Sequence, residues 1–161
     1  MNTRRLAIVL IGALLALTAL GWNRSAIQAQ TSDPAAITAA WNKAYLAGDL
    51  DALFALYSDD AVETNGLGLF IGKAAIRAAT ETLLSQNPGF TASVGDTVVV
   101  LDTAIHRVAL ASDPLRAAGV SRIWIIDTLV VFQGKIVSIS GFPDLADAET
   151  LKFVQASSGG G

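Results

Sequence analysis

Glu63 and Asn65 in "DDAVETNG", His106 in "AIHRVAL" and Asp127 in "WIIDTLVV" are the residues whose types and settings could act on a bound molecule. Carboxylates and imidazoles become general acids or bases when apolar surroundings or neighbouring charges move their pKa values toward neutrality. His106 is the only histidine, and histidine is the side chain that ordinarily titrates near neutral pH. Between apolar neighbours such a residue more often serves as a hydrogen-bonded packing group. Asp127 interrupts an apolar run, so it must be paired or hydrogen-bonded wherever that strand is covered. Alternation puts it on the face of Ile123 and Ile125 and not on that of Trp124. This gives it a structural task at a sheet interface, or, with the other face inward, makes it a buried acid with a raised pKa.

Other chemistries find less support. Asp59 and Asp60 read as a solvated helix end and the turn after it. Glu63 follows Asp59 by four residues and could share a face with it, but with no second acidic cluster and no histidine nearby, no metal is expected. The chain has no cysteine and no serine recognisable as a partner for His106, so no nucleophilic triad is expected. "GLGLFIG" joins two expected helices and does not follow a strand, so it reads as a flexible loop and not as a phosphate cradle. No cofactor is expected.

The 161 residues are enough for one domain with tails. Arg4 and Arg5, an apolar run from Leu6 to Leu20 and the small-residue end "SAIQAQ" have the order of a secretory signal, with cleavage expected after Ala29. The run is shorter than the roughly 20 residues a spanning helix needs, so no membrane anchor is expected to remain. Cleavage removes three arginines and no acid, which takes the formal charge from −3 to −6. A chain this acidic is not expected to bind nucleic acid or an anionic membrane. Export to the periplasm or the exterior follows as an expectation, with residues 1–29 as signal, 30–156 as the domain and 157–161 as a flexible tail.

Three helices are expected before Gly89. The first starts at a cap at Ser32 or Asp33 with Pro34 in its first turn, buries Trp41 and Tyr45, and stops at Gly48. Asp49 caps a second, "LDALFALYS", and "KAAIRAATETLLSQ" forms a third with Ile76, Thr80, Leu83 and Leu84 on one face. "TASVGDTVVVL", "AIHRVALAS", "GVSRIWIIDTLVVF" and "KIVSISGF" then read as strands of an antiparallel meander, and the whole as an α+β domain. Both faces of the third of these strands are largely apolar. Helices cover only one, so the other is expected to be buried in a homodimer formed through the sheet.

The order of these elements, with "AGDLDALFALYSDDAV", "GKAAIR" and "IIDTLVVFQGKIVSI", resembles the nuclear-transport-factor-2-like or SnoaL-like superfamily over residues 33–156. The resemblance implies a cystatin-like cone, with three N-terminal helices packed in the concave face of a strongly curved antiparallel sheet around an apolar pocket. It specifies a fold and not a reaction. The general-base position of the ketosteroid isomerases in this superfamily falls on Thr64 or Asn65, or on Glu63 with a one-residue slip. The position of their second acid holds Trp124, and their first-helix tyrosine region aligns with Trp41. For the limonene-type epoxide hydrolases, Arg122 matches the arginine of an Asp, Arg, Asp set, whereas the acid positions hold Trp124 and Gly141. Asp144 follows Pro143 and is expected beyond the strand, at the pocket rim or on the surface. Arg107 is expected at the rim or the dimer surface.

Trp41, Tyr45, Phe54, Tyr57, Trp124 and Phe142 are the aromatics expected around the interior, with Asn65 and Arg122 adding polar tips. The expectation is an exported, dimeric protein whose cone binds a small hydrophobic molecule. The alternatives are a cofactor-independent isomerase, cyclase or hydrolase using Glu63, Asn65, His106 or Asp127, and a dimerisation or partner-binding module without a ligand.

Overall fold

The computed structural model describes residues 33–158; the expected signal, its cleavage after Ala29 and the last three glycines lie outside them. α1 (Pro34–Ala47) begins at Asp33, whose Oδ1 accepts the Ala35 N–H at 3.0 Å. It ends at Gly48, whose φ of 66° is a conformation other residues adopt at a cost. Asp49 then caps the short α2 (Leu50–Ala55) by accepting the Ala52 N–H at 2.9 Å. Two strands follow, β1 (Tyr57–Asn65) and β2 (Gly68–Ile71), and only then α3 (Lys73–Gln86). The meander consists of β3 (Thr91–Val100), β4 (Thr103–Ala111), β5 (Ile123–Phe132) and β6 (Lys135–Pro143). α4 (Asp113–Ala117) lies between β4 and β5, and α5 (Ala148–Ser158) follows β6.

The six strands form one curled, open sheet in the order β2-β1-β6-β5-β4-β3. All neighbours are antiparallel except β1 and β6, which run parallel. "YSDDAVETN" is therefore a strand and not a helix end. Asp59 and Asp60, poor strand residues by propensity, sit where the pairing with β6 shifts register between Tyr57 and Val62. Both are exposed, and Asp59 pairs with Lys73. "GLFI", expected as loop, is the edge strand β2, with Phe70 packed against the core while Leu69 and Ile71 face outward. The β5–β6 hairpin turns on Gln133 and Gly134, both with positive φ, as a two-residue turn between right-twisted strands requires.

α1 packs on β3, β4 and β5, and α3 on β1 and β2, so the helices cover one face. Ile76, Ala104, Leu129 and Ile136 are fully buried in the core beneath them. The opposite face carries Val98, Ile105, Ile126, Phe142, Leu69 and Ile71, which are 38–68% exposed. One end of that face holds a tight cluster. The Arg107 guanidinium lies 4.5 Å from the Trp124 ring centroid, and its Nη2 is 2.5 Å from Asp144 Oδ2. Asp144 does lie beyond β6, but it is buried and paired and not at the surface. Among the described residues no helix is long and apolar enough to cross a membrane.

Replacing Leu129 with Ala removes a fully buried side chain and is expected to cost about 2–5 kcal/mol in urea unfolding. Asp60→Ala, at an exposed position, is expected to stay within about 0.5 kcal/mol.

Candidate functional site

Between the helices and the concave face lies an open cavity of about 390 Å³. Leu83, Leu110, Ile123, Ile125, Ile139 and Phe153 supply most of its apolar wall, and Trp41, Tyr45 and Tyr57 add aromatic faces. Glu63, Asn65 and Asp127 open onto the same space.

Sheet register brings these polar groups together. Asn65 on β1 stands beside Gly141 on β6, Gly141 opposite Asp127 on β5, and Asp127 opposite His106 on β4. Gly141 is the hinge of this row: a Cβ there would overlap Asp127 Oδ1 and stand 3.4 Å from Ile125 Cγ2. The missing side chain is the space the Asp127 carboxylate occupies. On its other side Asp127 Oδ2 lies 3.5 Å from His106 Nε2. The imidazole is fully buried and tilted against the Trp41 ring at 5.2 Å, and neither of its nitrogens is aligned for a hydrogen bond among the described residues.

Glu63 precedes Asn65 by two residues and so shares its face. Asn65 Nδ2 donates to Glu63 Oε1 at 2.8 Å, while Asn65 Oδ1 accepts the Leu67 N–H at 2.8 Å. One amide thus ties the carboxyl to the β1–β2 turn at the cavity mouth. Burial pushes the Glu63 pKa up to about 7; the Asn65 hydrogen bond opposes that rise and the Asp127 charge adds to it. Tyr57 is held well above the ordinary phenol range, first by burial and then by the Glu63 charge. Burial, then the charges of Asp127 and Glu63, does the same to Tyr45, which stacks on Trp41 at 4.7 Å. Trp41 Nε1 donates to Tyr57 Oη at 3.0 Å, which leaves the tyrosine's own hydrogen for an acceptor in the cavity. A base poised near neutrality and a protonated phenol can together move a proton on a bound molecule and hold its oxygen.

Of the expected ligand-facing residues, Trp41, Tyr45, Tyr57 and Asn65 line the cavity. Phe54 does not: it is core, packed on Tyr57 at 5.1 Å. Arg122, Trp124 and Phe142 are corrected to the opposite side of the sheet, where Arg122 lies 5.4 Å from the Trp124 ring. The alternation of β5 holds, but the helices cover the Asp127 face and not the Trp124 face. Asp127 is consequently a cavity acid and not an outer-face residue. The neighbouring strand contains the deciding signal: Ala104, His106 and Val108 are paired with Leu129, Asp127 and Ile125, whereas the other choice would have carried Arg107 inward beside Ile126. Thr80 and Leu83 reach the cavity from the expected face of α3, while Phe153 arrives on α5, a helix not foreseen. No group of three or more His, Cys, Asp or Glu that could hold a metal ion occurs among the described residues.

A family model for the SnoaL-like domain matches residues 37–139. No curated protein matches the chain. Among solved structures, the chain is similar to an LEH-like epoxide hydrolase from M. tuberculosis, with 20% identity, 80% of this chain and 97% of that one covered, and a TM-score of 0.59. It is also similar to a candidate ketosteroid isomerase from Kribbella flavida, at 13% identity, 69% and 77% coverage and a TM-score of 0.60. A cystatin-fold protein from Novosphingobium aromaticivorans shares 20% identity over 67% of this chain and 96% of that one, with a TM-score of 0.58. Likeness at these identities is likeness of fold.

Two measurements probe the row. With its pKa raised from 4.5 to about 7, Glu63 makes the folded state bind more protons than the unfolded one between those values. Stability is therefore expected to fall by up to about 3 kcal/mol as pH rises through that window, and Glu63→Gln to flatten the fall in urea titrations. Gly141→Ala is expected to cost about 1–3 kcal/mol, and distinctly less when Asp127 is also Ala, in a double-mutant unfolding cycle.

Proposed function

The chain belongs to the SnoaL-like domain family, and on that premise we propose that its cone binds a small, mainly apolar molecule bearing an oxygen function and moves a proton on it without a cofactor. The observation that carries this reading is Glu63. A carboxyl that burial holds near pKa 7, oriented by an amide and facing an apolar cavity, is costly as structure and well suited as a general base. In this reading Glu63 takes the proton, Tyr57 donates to the ligand oxygen, and Asn65 keeps Glu63 aimed into the cavity. Asp127, backed by His106, holds the opposite side of the site. The work is of the isomerase, cyclase or hydrolase kind, and pure binding is what remains if no proton moves.

Two further parts of the proposal rest on other observations. Export rests on the order of charge, apolar run and small residues from Arg4 to Ala29. Pairing of two copies rests on the broad apolar outer face, where Ile126 and Phe142 stand opposite each other and are 38% and 51% exposed. A module that only joined partners would need that face but not the cavity behind it.

The proton-transfer reading is tested by NMR of deuterium uptake from D₂O into a panel of terpenoid, steroid and polycyclic ketones. Wild type is expected to accelerate uptake for one class, and Glu63→Gln to lose at least about 100-fold of it while binding stays within a few-fold. Equal uptake by Glu63→Gln would remove Glu63 as the base. Binding can be followed by tryptophan fluorescence with Trp22 and Trp124 both replaced by Phe, because Trp41, which lines the cavity, is then the one tryptophan left. For pairing, sedimentation is expected to give a dimer that Ile126→Lys with Phe142→Lys converts to monomer.

A further inference from the structure

We infer that the cone selects its ligand by the sign of charge: it admits neutral and cationic head groups and refuses anionic ones. The inference rests on the proposed reading of the cavity as a ligand site, and it names the ligand class that reading leaves open. Among the described residues, Glu63 and Asp127 are the charged side chains lining the cavity, and no lysine or arginine lines it. Three cations of the described residues are engaged elsewhere. Arg107 pairs with Asp144 on the outer face, Arg77 with Asp51 and Glu81, and Lys73 with Asp59.

An anion entering this space would lose its hydration shell and find no positive partner. It would also sit beside two carboxyl groups, one of which already resists ionisation because it is buried, with the charge of the other adding to that. A neutral ligand meets none of these costs and can still accept from Tyr57. The substrate class is therefore ketones, esters, epoxides, alcohols or amines on an apolar skeleton, and not free carboxylic acids or phosphates. The reaction that supplies the substrate must accordingly mask, reduce or remove any carboxylate. A reaction in the cone that released a carboxylate would drive its own product out.

Isothermal titration calorimetry at pH 8.0 on one compact skeleton separates the effects. The ligands are adamantane-1-carboxamide, adamantane-1-carboxylate and protonated adamantan-1-amine. The carboxylate is expected to bind at least about 30-fold more weakly than the amide, as a single like charge at close range in a low-dielectric site implies. The amine is expected to bind at least as tightly as the amide. Glu63→Gln and, separately, Asp127→Asn should each narrow the gap between amide and carboxylate, and two variants guard against one that misfolds. A carboxylate within three-fold of the amide would overturn the inference. So would an amine refused as strongly as the carboxylate, because the cone would then reject charge of either sign. If a folded protein takes up none of the three, the reading of the cavity as a ligand site fails, and the inference falls with it.

Discussion

The register of β6 against β1 on one side and β5 on the other is the constraint on which the site depends. Gly141 lies between Asn65 and Asp127 in the same row, and it is the residue whose missing side chain admits the Asp127 carboxylate. A one-residue slip on either side would turn a carboxyl to the opposite face, because strand side chains alternate. The parallel pairing of β1 with β6 matters for the same reason. It brings a segment from before the third helix to the end of the chain's last strand, and with it Glu63. No local interaction could place Glu63 and Asp127, 64 positions apart, around one space.

Around this row the molecule separates two kinds of energetics. The core below the helices is ordinary: fully buried Leu129, Ile136 and Ile76 against Phe54 and Tyr57. The cavity beside it combines aromatic and aliphatic walls with acids, and the acids are arranged unequally. Glu63 has an amide donor and is nevertheless pushed toward neutrality by burial, whereas Asp127 has an imidazole 3.5 Å away. Trp41 connects the parts, stacking on Tyr45, touching His106 and donating to Tyr57.

The two faces of the sheet are told apart by what accompanies them. On the outer side the Arg107 guanidinium pairs with Asp144 and lies over the Trp124 ring, while its buried Nε has no hydrogen-bond partner among the described residues. The remainder of that side exposes Ile105, Ile126, Phe142, Leu69 and Ile71 around a polar row of Thr64, Ser140 and Thr128, and the concave side is covered by α1 and α3. The same β5 thus presents a cavity wall to one side and an apolar surface to the other.

Much of the fold was legible because its signals are local. Asp33, Pro34 and Gly48 bound the first helix, Asp49 caps the second, and the four meander strands lie within a few residues of where β-branched runs and turns put them. Glu63, Asn65, His106 and Asp127 stood out as candidates for an equally local reason, since polar groups in apolar segments require partners. Local signals failed where long-range pairing overrides propensity. Asp59 and Asp60 disguised β1 because a register shift, visible only with β6 in place, lets two poor strand residues stay exposed within a strand. Nor could the alternation of β5 say which of its faces the helices cover. That choice depends on β4 and β6 carrying Val108, Ala104 and Ile139 to the Asp127 side and Arg107 to the other, so Trp124 went outward and Asp127 inward. The sequence by itself determined the elements and the reactive residue types, because caps, turns and periodicity act over a few residues. Only the tertiary structure decided which of those residues share a cavity, because that is set by strand register between distant segments.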